Sequence, residues 1–367
     1  MTRSLKNAPW LATAVTAAIM VLAPQQAWCW GHTGHVGISQ LAAQSLPPEI
    51  PAFLRSAQSI AQIGELGAEA DESKTTGIVT SVSNGRINTA STVHDAERDA
   101  GHFLDIDDNG IVIGGVVPLT NLPATREAFD TAQRTATNPG AQTQYGGYLP
   151  YAMLDGFQQV RKDFGMWRAL SVGLATATND VDRAYFRFQL QLRQQLIIRD
   201  IGYWSHFVCD ASQPMHVSVH FNGWGSYPNP NGYTTSGLHA PFEGAFVRSF
   251  VNFADVAAQM RPYTDRGVTT MEKRVPLYLA ETLAQVIPLY QAAKTSGPSG
   301  NDNYKTAQPA EMDIVVKQLA AGASELRDQI VDAWRQSTAI TVGFPLVRVS
   351  DAESGAVRIT PATFGSD

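Results

Sequence analysis

The sequence predicts an all-α fold: a single, mainly helical domain with a small β-hairpin near its C-terminus. Three observations predict it. Apolar residues recur at helical spacing over long windows, as at Met153, Phe157, Val160 and Phe164, and again at Phe186, Leu190, Ile197, Ile201, Trp204 and Val208. Proline and turn signals bound these windows, among them Pro47-Pro48, Asn138-Pro139-Gly140 and Pro214. Clear strand-like alternation is confined to the tail, Thr341 to Thr360. The chain has 367 residues, of which 44% are hydrophobic and 16% charged, and this balance excludes a disordered chain and supports a sizeable core.

Residues 1–29 read as a secretory signal peptide. Arg3 and Lys6 precede the apolar run Leu11 to Ala23, which is too short to span a bilayer comfortably, and Ala27-Trp28-Cys29 offers small residues at a cleavage position. Export to the periplasm or the cell exterior is expected, with Trp30 as the first mature residue. Processing takes the basic residues from 27 to 25 against 33 acidic ones, moving the formal charge from −6 to −8. Such a protein is a poor non-specific binder of polyanions. Cleavage also removes Cys29, so Cys209 is left without a partner, no disulfide framework is expected, and the thiol reads as buried core.

From Trp30 a short glycine-containing lead enters a helix over about Val36 to Ser45, and Pro51 to Ile63 reads as a second. Ala68 to Ala100 is polar and broken, which predicts a loop with at most a short strand; Asp71 sits in it. The run His102 to Asp107 ends at the turn signal Asp108-Asn109-Gly110. Helices are predicted over about Ala124 to Thr135 and Ala152 to Leu170, and the longest, Val181 to about Ala211, is capped by Asn179 or Asp180. His220 to Ser236, rich in Gly, Asn, Pro and Tyr, is too long for a simple connector. Leu238 opens a helix that continues through Phe253, and two more follow over Met271 to Ala293 and Ala310 to Trp334. The helical domain is expected over residues 30–340, and the tail, 341–367, is expected to turn at Glu353-Ser354-Gly355. No repeat, phosphate loop, dinucleotide fingerprint or Gly-x-Ser-x-Gly turn is present, so no organic cofactor is expected.

The chemistry concentrates at the end of the longest helix. His206 and Asp210 stand four apart and leave from one face, while Pro214 closes the helix and puts His216 on the bend. Imidazole and carboxylate together suit zinc. His35, His102 and His239 also lie near helix ends or carboxylates, whereas His32, His94 and His220 have no such partner and read as surface or supporting residues. With Asp71 and Glu243 the set reaches eight side chains, too many for one tetrahedral zinc and suited to a cluster.

These residues resemble a family. Trp30-Gly-His-Thr-Gly-His35, Asp71 within Ala-Asp-Glu, His102-Phe-Leu-Asp-Ile-Asp, His206-x3-Asp210-x5-His216 and His239-x3-Glu243 are similar, in order, to the trinuclear-zinc superfamily. It unites zinc-dependent phospholipases C with type I single-strand-specific nucleases. The likeness runs from Trp30 to about Glu243 and implies a helical domain built around three zinc ions. It implies that Asp71, His102, His206 and Asp210 hold one zinc, with Asp210 bridging to a second held by His35 and by the amino nitrogen and carbonyl oxygen of Trp30. His216, His239 and Glu243 would hold the third. The implied activity is phosphoric diester hydrolysis by a zinc-bound hydroxide, with Asp71 orienting it.

The substrate is less sharply marked. Glu243, where type I nucleases carry aspartate, and the long interval between His102 and His206 resemble the phospholipases, as do Asp105 and Asp107. The short interval from Trp30 to His35 is nuclease-like. Phe221, Trp224, Tyr227 and Tyr233 could stack nucleobases, enter a lipid surface transiently or cage an ammonium group. Phospholipid is the expected substrate. Single-stranded nucleic acid, cut by an endonuclease or 3'-nucleotidase, is the alternative, and a non-catalytic zinc-stabilised binding protein is a third reading.

Overall fold

The computed structural model describes residues 30–74, 78–83, 86–90, 98–137, 146–266, 270–296 and 309–365. Residues 1–29, read above as a signal peptide, lie outside them, as do His94, Asn138-Pro139-Gly140 and residues 297–308. The protein is mainly helical, with a small antiparallel two-stranded sheet near the C-terminus.

Helix α1 spans Gly31–Gln44, five residues earlier than the sequence predicts, because Gly34 N donates to Trp30 O and winds the lead into the first turn. A 3-10 turn, Ala52–Arg55, then precedes α2, Ala57–Leu66, capped by the Ser56 side chain. The segment expected as loop instead holds a short helix, α3, Glu69–Lys74, and an antiparallel hairpin of β1, Ile78–Ser83, with β2, Arg86–Ala90. The signal for this hairpin was present in the sequence, since Asn84-Gly85 stands between two alternating runs.

Helix α4, Arg126–Thr137, leads to the two longest neighbours, α5, Leu149–Thr176, and α6, Asp180–Asp210. Gly173 faces Phe186 and Gly156 faces Trp204, so the pair is antiparallel, with glycines receiving aromatic rings. The helix expected from Leu238 through Phe253 is broken. A π turn, Pro241–Phe246, runs into α7, Val247–Phe250, and the chain restarts as α8, Phe253–Ala258, capped by Asn252. The expected helix Met271 to Ala293 is likewise two, α9, Met271–Leu283, and α10, Val286–Ser296. Pro288 explains the break: it has no N–H for Ala284 O, and it fits the first turn of a new helix.

Helix α11, Pro309–Gln336, is buried along most of its length. The tail carries β3, Thr341–Val342, paired with β4, Val347–Arg348, and a short helix, α12, Val349–Glu353. The hairpin therefore turns at residues 343–346; Glu353-Ser354-Gly355 ends α12 instead. The largest apolar cluster joins Phe157 and Phe164 of α5, Ile197 and Trp204 of α6 and Ile330 of α11. A second gathers Trp30, Cys209, Phe242, Tyr290 and Leu319, and a third sets the tail's Val342 and Val349 against Leu170 and Phe186. Among the described residues no helix is long and apolar enough to cross a membrane.

Candidate metal centre

Helix α6 ends in the two side chains from which the site is built. His206 and Asp210 share a face and are fully buried. Asp210 Oδ2 lies 3.3 Å from His206 Nε2 and 3.2 Å from His102 Nδ1, and its Oδ1 lies 3.4 Å from His35 Nε2. His35 comes from the second turn of α1, and its ring stacks on His206 with centroids 3.9 Å apart. His102 ends the 3-10 turn Ala100–His102. Asp71, on α3, puts Oδ1 3.8 Å from His102 Nδ1 and 3.7 Å from His206 Nε2.

A further group adjoins these. His216 ends the 3-10 turn Pro214–His216, and His239 and Glu243 flank the start of the π turn, a wider helical form that often marks functional sites. His239 Nε2 lies 2.9 Å from His216 Nε2 and 2.8 Å from Glu243 Oε2. The sequence-predicted side chains thus form three buried groups that could hold metal ions: His35, His206 and Asp210; Asp71, His102 and His206; His216, His239 and Glu243. Within each group the ligand atoms lie inside 4.8 Å of one another.

Backbone carbonyls aim two of the rings. His206 Nδ1 donates to Gly67 O at 2.8 Å and His216 Nδ1 donates to His102 O at 2.6 Å. Each neutral ring then keeps its Nε2 lone pair toward the group, the arrangement that supports metal-ligating histidines. Gly67 reaches His206 because Gly202 has no side chain; a Cβ there would stand 2.4 Å from Leu66 Cβ.

The donor set fits zinc. Imidazole nitrogen and carboxylate oxygen are its ligands, and two ligands of one tetrahedral zinc stand about 3.3 Å apart, within the range of the nitrogen–oxygen separations here. Three carboxylates buried beside imidazoles call for positive charge. Glu243 shows the need most directly, since its Oε1 is buried with no hydrogen-bond partner among the described residues. Burial pushes its carboxyl up to about 7, with His216 opposing the rise and the charge of Asp71 adding to it. Burial also lowers His216 below the ordinary histidine value, although Glu243 pulls it back.

Trp30 packs beside the end of α6, on Cys209 and Ser212. Its backbone is left-handed, with φ 43°, and its indole Nε1 donates to Cys209 O at 3.1 Å and Ser212 Oγ at 2.9 Å. Gly31 packs on the backbone of Glu243, where a Cβ would meet Glu243 O at 3.3 Å. The start of the described chain is thus held between Asp210's neighbour and the Glu243 turn. In the full sequence the Trp30 nitrogen is an amide joined to Cys29, and removal of the leader would convert it to an amine.

Other expectations are corrected or refined. Trp224 and Tyr233 are buried in the second apolar cluster, so the aromatic loop presents chiefly Phe221, 52% exposed, and the partly buried Tyr227. Burial also means that Trp224 and Tyr233 are unavailable for stacking. His32 is a surface residue near Glu65 and Glu72. His220 is buried outside the three groups, with Nε2 2.9 Å from Asp108 Oδ1, Nδ1 donating to Trp224 O at 3.0 Å, and its ring stacked on Trp224. This clamp between the turn at Asp108 and the loop after His216 has no signature in the sequence, because its partners are 112 residues apart. Cys209 is a free, fully buried thiol.

The chain matches no known family model and no curated protein.

Proposed function

We propose that the protein is an exported, zinc-dependent phosphoric diester hydrolase of the phospholipase C type, releasing diacylglycerol and a phosphorylated headgroup. One observation carries this reading: five imidazoles and three carboxylates converge as three adjoining buried groups, two of them sharing His206. A structural site needs one closed ligand set, whereas several metals side by side suit attack on phosphorus with stabilisation of the leaving oxygen.

His35, Asp71, His102, His206 and Asp210 would hold two zinc ions, with the Trp30 amine and carbonyl completing the set after processing. His216, His239 and Glu243 would hold the third. When bound, zinc supplies a nucleophile at neutral pH and neutralises charge that develops on the phosphoryl oxygens. Asp71 Oδ1 faces His102 and His206, so this carboxylate can orient an attacking water and accept its proton. Gly67 O and His102 O hold His206 and His216 in one tautomer, so the site reorganises little during turnover. Phe221, exposed five residues after His216, is the side chain for transient contact with a lipid surface.

Phospholipid is favoured over nucleic acid by Glu243, by the long interval between His102 and His206, and by the burial of Trp224 and Tyr233, which removes two of four candidate base-stacking rings. The test gives the mature protein, with zinc, phosphatidylcholine vesicles and single-stranded DNA side by side. Phosphocholine release that a chelator abolishes is expected. Cleavage of the DNA alone assigns the site to a nuclease, and zinc binding without hydrolysis of either substrate assigns it to a binding protein.

A further inference from the structure

Arg98 is a cation that the metal groups do not use and that no carboxylate neutralises. Its Nη2 donates to Ser73 Oγ at 3.0 Å and to Tyr203 Oη at 2.9 Å. Ser73 follows Asp71 by two residues on α3, Tyr203 precedes His206 by three on α6, and Arg98 stands one helical turn before His102. The guanidinium is therefore tied to all three segments that carry one candidate group, Asp71, His102 and His206. That group is also where solvent reaches the site. His35, His206, Asp210 and Glu243 have no exposure, whereas Asp71 and His102 keep 2 and 3%. Arg98, Ser73 and Tyr203 are themselves half-buried, so they border the accessible side of the group.

The hydrogen bonds of Arg98 leave most of its capacity unspent. Among the described residues no carboxylate pairs with it, and its Nε and Nη1 donate to no protein group. A brace between α3 and α6 would account for Nη2 and for nothing else. Two hydroxyls orient the guanidinium without cancelling its charge, as a carboxylate partner would. A half-buried planar donor set with its charge intact is complementary to phosphate oxygens.

We propose that Arg98 is a phosphate-binding residue whose guanidinium holds a non-bridging oxygen of the phosphodiester, with Ser73 and Tyr203 as its positioning residues. The choice of phosphate as ligand rests on the phosphodiesterase reading above. Arg98 gains and loses no proton; it lends charge to an oxygen that grows more negative as phosphorus is attacked.

Calorimetric titration of inorganic phosphate into the mature, zinc-loaded protein tests this without turnover. Arg98→Gln can still hydrogen-bond to Ser73 and Tyr203 but has no charge. It should weaken phosphate binding by about thirtyfold, with circular dichroism and zinc content as in the parent. Arg98→Lys, which keeps the charge and loses the fork, should weaken it by about fivefold, and Tyr203→Phe by about threefold. These two variants keep the test decisive if Arg98→Gln fails to fold. A parent that binds no phosphate, or an affinity indifferent to all three substitutions, overturns the proposal. Loss of zinc in step with phosphate does so too, because it makes Arg98 a brace. Ester hydrolysis at the parent's kcat/KM in Arg98→Gln removes Arg98 and leaves the hydrolase. A parent that binds phosphate through Arg98 and hydrolyses neither ester does the reverse.

Discussion

Asp71, His206 and His216 divide the work of the site at the level of single residues. The two histidines each spend Nδ1 on a backbone carbonyl and keep Nε2 for the group they face. Asp71 lies 3.7–3.8 Å from two ring nitrogens, and in the proposed mechanism it is the carboxylate that would handle a proton. Asp71→Asn retains the shape and one ligand oxygen but loses basicity. Its circular dichroism and zinc content should stay near those of the parent while kcat falls about a hundredfold or more; unchanged turnover would remove Asp71 from the mechanism. Asp163 is a residue-scale case away from the three candidate metal groups. It is fully buried on α5, with Arg193 Nη1 at 2.5 Å and Gln159 Nε2 at 3.2 Å. Burial, together with a hydrogen bond shared with Asp200, pushes its carboxyl from 3.8 up to about 6 in spite of Arg193. A raised carboxyl stabilises the fold fully below its unfolded value and loses that contribution as pH rises through its folded value. The stability of the parent relative to Asp163→Asn should therefore fall between about pH 4 and 6, by on the order of 1–3 kcal/mol. Parallel melting curves for the two proteins over that range would show that Asp163 does not titrate in this way.

At the level of elements, the site depends on how closely α2 approaches α6. Leu66 sits over Gly202, and the next residue, Gly67, offers the carbonyl that aims His206. Gly202→Ala would force a Cβ into a 2.4 Å contact that only a shift of α2 can relieve. Stability should drop by about 1–3 kcal/mol, and because Gly67 moves with α2, zinc should be lost at lower chelator concentrations. Both are measurable by chemical denaturation and by zinc release to a colorimetric chelator. A loss of stability with zinc retention unchanged would separate packing from ligand aiming. The same scale explains where helix boundaries differ from the sequence prediction. Apolar periodicity runs unbroken through Met271 to Ala293; α9 continues through Pro276, and the division falls just before Pro288, whose ring nitrogen cannot serve Ala284 O.

For the whole molecule, α11 is the buried strut, held by a charge network rather than by apolar packing alone. Glu325 is fully buried and accepts from Arg274 Nε at 2.6 Å, Arg261 Nη2 at 2.7 Å and Arg266 Nη2 at 3.0 Å. Burial would raise its carboxyl, but Arg274 and Arg266 outweigh burial and hold it below the ordinary glutamate value. Glu325→Ala leaves several guanidinium groups facing a cavity, and a loss of about 3–5 kcal/mol in urea denaturation is expected. A loss under about 1 kcal/mol would mean that Asp328 and Asp332 carry the network without it. Glu325 is outside the three metal groups, so zinc bound per folded chain should not change.

The sequence by itself determined the helical class, the helix that ends in His206 and Asp210, and the choice of donor residues. These follow from local rules: apolar period, proline punctuation, and the four-residue spacing that puts two side chains on one face. Even the hairpin at residues 78–90 had a local signal in Asn84-Gly85. Tertiary structure alone decided what depends on residues far apart in the chain. It set Gly67 O and His102 O behind two of the rings, closed Asp108 onto His220 across 112 residues, and buried Trp224 and Tyr233 in an aromatic cluster with Tyr290. Among the described residues it also left Val181, Phe188, Leu192 and Leu196 of α6 exposed, because packing reaches one side of that half-helix while the sequence makes two sides apolar. Spacing along a chain can say which side chains share a face; which faces are covered, and by what, is decided only when distant segments compete for the same surface.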